Sequence, residues 1–143
     1  MDIFNDLSIV EHRLLGKYDF LAQGQLDVEF DLEMENPQIQ DFRSLLNSAA
    51  EFLKGFTESK FIQLKSDICK QLTDAAYAES AAVCMQDEVQ SLERQLTIYT
   101  ICFFMEDVIS LIFKAEQDYP DLHIYCQINA QFEIEDLMLA EPQ

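Results

Sequence analysis

Five carboxylates recur at every second position in the stretch LDVEFDLEME: Asp27, Glu29, Asp31, Glu33 and Glu35, with no base among them. Oxygen donors at positions 1, 3 and 5 are how a calcium loop begins, but such a loop also needs Gly at position 6 and Glu at position 12. Here those positions hold Leu32 and Gln38. The interleaved Leu26, Val28, Phe30, Leu32 and Met34 call for an extended chain, because successive strand side chains point to opposite faces. Residues 26–35 therefore read as one strand with an apolar face and a wholly anionic face, not as a metal site. Same-face neighbours in a strand sit about 6.6 Å apart, where two unit charges in water repel by on the order of 0.6 kcal/mol before screening. A plain surface strand would be served as well by Lys or Thr. The uniform sign points outward, to a partner of opposite charge.

Other chemistry is hard to build from this chain. His12 and His123 are far apart and belong to no HExxH or Glu-x-x-His pattern. His123, at the head of a strand, reads as a surface or structural histidine. Cys69, Cys84, Cys102 and Cys126 are spaced by 15, 18 and 24 residues, which fits neither a zinc nor a redox motif. They read as free, buried thiols of a reducing compartment. Gly16, Gly24 and Gly55 are isolated, so no phosphate-cradling loop or dinucleotide fingerprint is present. None of the serines sits in a nucleophile elbow. The residues thus predict no catalytic group, no metal and no cofactor, and a protein that is not an enzyme.

The elements that would position these residues follow from hydrophobic periodicity. Residues 1–15 read as a short helix or irregular lead-in. A strand over 18–22, a turn over 23–25 and the return strand over 26–35 make a hairpin, ended by Asn36-Pro37. Ile39, Phe42, Leu46, Ala49 and Leu53, widened by Leu45 and Phe52, mark an amphipathic helix stopped at Gly55. Thr57 caps a second helix with Phe61, Leu64, Ile68 and Leu72 inward. Ala78, Ala82, Met85, Val89, Leu92 and Leu96 mark a third, with a capping box at Asp87–Gln90.

Residues 97–115 also fit a helical stripe. Joined to the third helix they would form a rod of about 44 residues, or ~66 Å, against a diameter of about 37 Å for a domain of this length. Their Thr, Ile, Tyr and Phe favour strands, so 97–105 and 108–114 read as a hairpin about Glu106-Asp107. Asp118–Asp121 reads as a turn. The alternation over 122–134 is one long strand, or two with a bend near 129–131. The class is α+β: an antiparallel sheet of about five strands, from an N-terminal hairpin and a C-terminal strand set, with a central helical segment packed on one face.

The chain has 143 residues, the length of a single domain spanning 1–143, with 49% hydrophobic residues, and this is a folded composition. It carries 27 Asp and Glu against 9 Lys and Arg, a formal charge of −18. Such a chain repels nucleic acid and anionic membranes and attracts basic proteins. MDIFNDLSIVEH has no basic region ahead of an apolar core, so no signal peptide is read there.

The stretches LGKYDF at 15–20, LDVEFDLEM, LTIYTICFFMEDVISLIF at 96–113 and FEIEDLMLA at 132–140 together resemble small acidic bacterial immunity-type domains, those found beside polymorphic or contact-dependent toxins. The resemblance covers about half of the chain and is a likeness of pattern. It implies a cytoplasmic antitoxin-type inhibitor of a basic toxin domain. A nuclease is the most specific choice, since its phosphate-binding cleft is cationic. Asp27, Glu29, Asp31, Glu33 and Glu35, with Tyr125 as an aromatic anchor on the polar face of the last strand, are the expected contacts in a 1:1 complex. The alternative is an acidic homodimeric secretion chaperone or adaptor, separable from the first reading by oligomeric state.

Overall fold

The structure is a computed structural model that describes residues 3–20, 24–76, 92–115, 117 and 119–141. Strands β1 (Asn5–Val10), β2 (Arg13–Phe20) and β3 (Gly24–Asp31) form a meander. A 3-10 turn (Ile39–Phe42) leads into helices α1 (Arg43–Gly55) and α2 (Glu58–Ala76). Strands β4 (Thr97–Phe103), β5 (Ile109–Ala115), β6 (Tyr119–Ile128) and β7 (Ile134–Ala140) form a second meander. All seven strands join in one sheet in sequence order. Every neighbouring pair is antiparallel except β3 with β4, which run parallel. Parallel neighbours need a crossover connection, and the helical segment lies in it.

The class is α+β as expected, but the sheet has seven strands rather than about five. The lead-in over 1–15 is β1 and the start of β2, not a helix. Asp6 has φ of 56° and the β1–β2 register slips between Asn5 and Ser8. That bulge breaks the two-residue period by which a strand is recognised. The first hairpin closes earlier than expected, at the pair Phe20–Gly24, and β3 stops at Asp31. Tyr119–Asp121 is strand, not turn. The 122–134 alternation resolves into two strands, and β7 runs on to Ala140. The hairpin about Glu106-Asp107 forms, with its strands ending at Phe103 and resuming at Ile109, shorter than the expected 97–105 and 108–114, and both turn residues take positive φ, 63° and 59°. The third helix and its capping box lie largely outside the described residues, of which 92–95 are helical.

Both helices begin and end for local reasons. Asp41 Oδ2 accepts the Gln38 N–H at 2.9 Å, closing the box at the head of the 3-10 turn. Phe56 and Thr57 separate the helices, and Thr57 Oγ1 accepts the Lys60 N–H at 3.3 Å as the cap of α2. Phe61, Leu64, Ile68 and Leu72 are buried, as their spacing demands. On α1 the buried stripe is Leu45, Ala49, Phe52 and Leu53, while Ile39 is 55% exposed because it sits in the 3-10 turn, off the α-helical phase.

The helices cover one face of the sheet. Phe20 of β2 packs on Phe56 and Phe61, each with ring centroids 5.0 Å apart, and Phe61 stacks on Phe113 of β5. Phe52 meets Phe103 of β4 edge-on at 6.0 Å. Fully burying one such ring stabilises the fold by about 1.5–3 kcal/mol. Gly16 lets β1 lie close over β2: a Cβ there would stand 2.8 Å from Leu7 Cδ2 and 3.2 Å from the Asn5 carbonyl oxygen.

Phe132 reaches back from the β6–β7 loop to lock the layers. Its ring stacks on Phe52 at 4.8 Å and leans on Phe56 at 5.2 Å, with Lys60 Nζ 4.5 Å from its centroid. It holds this place with φ of 63°, a backbone conformation that costs a bulky residue on the order of 1–2 kcal/mol. The ring contacts must outweigh that cost. Phe132→Ala keeps the strained backbone and loses the contacts, so it should destabilise by about 2 kcal/mol in urea unfolding. Phe132→Gly relieves the backbone and should recover part of the loss. A Gly variant less stable than the Ala variant would refute this division.

Candidate functional site

The other face of the sheet has no described helix over it. Strand parity turns Arg13, Leu15 and Lys17 of β2 and Asp27, Glu29 and Asp31 of β3 onto it, with Lys17 opposite Asp27, Leu15 opposite Glu29 and Arg13 opposite Asp31. The acids do not stand alone. Lys17 Nζ donates to Asp27 Oδ1 and Arg13 donates to Glu29 Oε1. His12 Nε2 lies 3.8 Å from Asp31 Oδ2. The Asp27 hydrogen bond and charge, in that order, raise the Lys17 pKa above its ordinary value. The repulsion along the row is thus relieved within the hairpin.

Glu33 and Glu35 leave the row. The Asp31 carboxylate accepts the Glu33 N–H at 2.8 Å, and Glu33 and Asn36 take φ of 57° and 50°, so the chain turns off the sheet. An Asp bonding to the backbone two residues on is a standard way to end a strand. Tyr125 does join Asp27 and Glu29. It lies three strands over, about 14 Å by strand spacing, and lines the same cleft of about 520 Å³. Tyr99, Thr100, Ile112 and His123 line it as well.

A register slip between Ile98 and Thr100 sets both Tyr99 and Thr100 toward the cleft, against the strict alternation of the rest of β4. The ring centroids of Tyr99 and His123 are 5.2 Å apart, and those of His123 and Tyr125 6.2 Å. Lys114, opposite His123 on β5, places Nζ 4.1 Å from the Tyr99 centroid. Burial, then the Lys114 ammonium, holds the His123 pKa below its ordinary value, which favours a neutral imidazole at neutral pH. The cleft therefore has one wall of paired carboxylates and one of aromatic rings, with the buried Thr100 between them.

The only thiol on this face among the described residues is Cys102, 3.7 Å from Glu29 Oε2. Burial and then the Glu29 charge push its pKa up to about 12, so it is no thiolate nucleophile at neutral pH. Among the described residues no three His, Cys, Asp or Glu side chains converge on a metal position. No described helix is long and apolar enough to cross a membrane. The rings of the cleft can receive flat apolar or cationic groups, and its carboxylates can accept from donors. Sequence reading missed Arg13, Lys17 and Tyr99. The i, i+4 spacing of Arg13 and Lys17 puts both on one strand face, the signal that pairs them with β3. Tyr99 gave none, because its orientation depends on a bulge.

No family model, no curated protein and no solved structure matches the chain.

Cys69, Cys102 and Cys126 are free, and burial is the chief cause that raises each thiol from 9.0 to about 12. Cys84 lies outside the described residues. Above pH 9 the unfolded thiols lose protons that the folded ones keep. The unfolded state then binds fewer protons, and stability falls as pH rises, by at most about 1.4 kcal/mol per pH unit for each thiol. The contribution is whole below about pH 9 and lost by about pH 12. Stability measured by denaturation across that window should slope downward, and Cys126→Ala should lessen the slope by at most about 1.4 kcal/mol per pH unit. An unchanged slope in that variant would show that the thiols do not govern it.

Proposed function

We propose that the protein is a cytoplasmic immunity-type inhibitor that binds a basic toxin domain, most specifically a nuclease, at the open face of its sheet. The observation that carries this reading is the cleft that brings Asp27 and Glu29 together with Tyr99, His123 and Tyr125. Acids attract and orient a cationic partner over distance, while buried aromatic anchors hold it at contact. The formal charge of −18 supplies the long-range field. The ion pairs refine the division of labour: Lys17 and Arg13 fix Asp27 and Glu29 in place, so those carboxylates are oriented acceptors and not a loose anionic row. The resemblance of the sequence stretches to immunity-type domains agrees with this reading.

The test is a purified toxin domain encoded beside the gene, measured for binding and for neutralised activity. A 1:1 complex is expected, with association slowed by salt. Tyr125→Ala should raise the dissociation rate by roughly thirtyfold, the effect of losing about 2 kcal/mol at a hot spot. Asp27→Asn with Glu29→Gln should act on both rates. A stable homodimer that leaves every such toxin active would sink the inhibitor reading and favour an acidic chaperone.

A further inference from the structure

A second concave surface lies on the helical side of the molecule. Helix α1, the tip of the β4–β5 hairpin and Ala130 of the β6–β7 loop enclose a trough of about 580 Å³. It exists because α1 turns Ser44 and Ser48 toward it, side chains too small to fill the space up to the hairpin. The floor is apolar: Phe52, Phe103 and Ile109 are buried there. Met105 stands at the rim, 46% exposed. The lining holds three acids, Glu51, Glu106 and Asp107, and no base. Lys54 reaches Glu51 at 3.1 Å from outside the lining, so Glu106 and Asp107 carry most of the rim's charge.

From this geometry we propose that the trough is a docking site for a basic polypeptide segment of a partner protein, seated by one large apolar side chain between flanking Arg or Lys residues. The floor accounts for the apolar anchor and the rim for the flanking charges. A second copy of the chain is a poor occupant, since it brings the same −18 to an acidic rim. The hairpin tip fits the assignment. Glu106 and Asp107 occupy the two positive-φ positions of a tight turn, where Asn-Gly is the favoured pair. The turn thus holds two acids at the rim where less strained residues would serve the fold alone. This site lies across the sheet from the cleft, and either can fail without the other.

The chain has no Trp, so a peptide probe bearing one reports alone in fluorescence. The probe is a short synthetic peptide with Trp between two Arg residues, compared with Glu-Trp-Glu and Ala-Trp-Ala counterparts. The Arg peptide should show a blue shift on titration with the full chain. Its amide shift changes should centre on residues 44–52 and 103–109. Ser48→Phe, at an exposed helix position, should abolish the shift by filling the trough. The double variant E106N/D107G should melt at a higher temperature, because it suits the turn, yet bind the Arg peptide on the order of tenfold more weakly at low salt. Because that variant folds at least as well as the parent, lost binding cannot be ascribed to unfolding. No binding, equal binding of the Glu or Ala peptides, shift changes centred on Tyr99 and Tyr125, or unchanged affinity in both variants would each overturn the proposal. So would a dimer that Ser48→Phe dissociates.

Discussion

Four residue pairs, from Asp27 with Thr100 to Phe30 with Phe103, join the first three strands to the last four. Their register decides which side chains share the inner face and which share the outer one. On the inner face Val28 meets Ile101 and Phe30 stacks on Phe103, with centroids 5.3 Å apart and planes 13° from parallel. On the outer face the same pairs place Asp27 beside Thr100 and Glu29 beside Cys102. A slip of β3 by one residue would exchange its two faces, burying Asp27 and Glu29 under the helices and exposing Phe30. The cleft and the core are thus held in place by one short parallel ladder, and the phenylalanine stack resists the slip.

Charge is distributed to suit that arrangement. Five of the nine bases, Arg43, Lys54, Lys60, Lys65 and Lys70, lie on α1 and α2. From Thr97 onward Lys114 is the lone Lys or Arg, and its ammonium stands over the Tyr99 ring. In the first hairpin Arg13 meets Glu29 and Lys17 meets Asp27, and on α1 Lys54 meets Glu51. Net acidity therefore says little about any single patch. Two acids of the densest acidic run, Asp27 and Glu29, stand beside bases, while the two acids of a tight turn stand at an open rim.

Much of the fold was legible because it rests on local period. The stripe over Phe61, Leu64, Ile68 and Leu72, the cap at Thr57 and the hairpin about Glu106-Asp107 each depend on residues within a turn or two of one another. What was not legible depends on partners or on broken period. β1 was hidden by the bulge at Asp6, Tyr99 by the slip in β4, and the end of β3 by an Asp31 side chain bonding forward to its own backbone. The alternation through Glu35 was real, yet the chain leaves the sheet four residues earlier. Of the residues expected to form a binding surface, Asp27, Glu29 and Tyr125 meet in one cleft, Asp31 stays on the same face, and Glu33 and Glu35 do not. Their meeting required strand order, which periodicity does not contain.

The parallel ladder also fixes an order in time. Each antiparallel pair closes across a short stretch of chain, on the microsecond scale of hairpins. The contact between Glu29 and Cys102 spans 73 residues, and its loop entropy is met only once the helical crossover has shortened the gap. The two meanders are thus early modules, and their joining is the late, cooperative step of folding. Until it occurs, Phe30 and Phe103 face water on two unpaired strand edges, and pulse-labelled hydrogen exchange would find the β3–β4 amides protected after those of β5–β6. The interval before that joining is when the nascent chain is most open to aggregation.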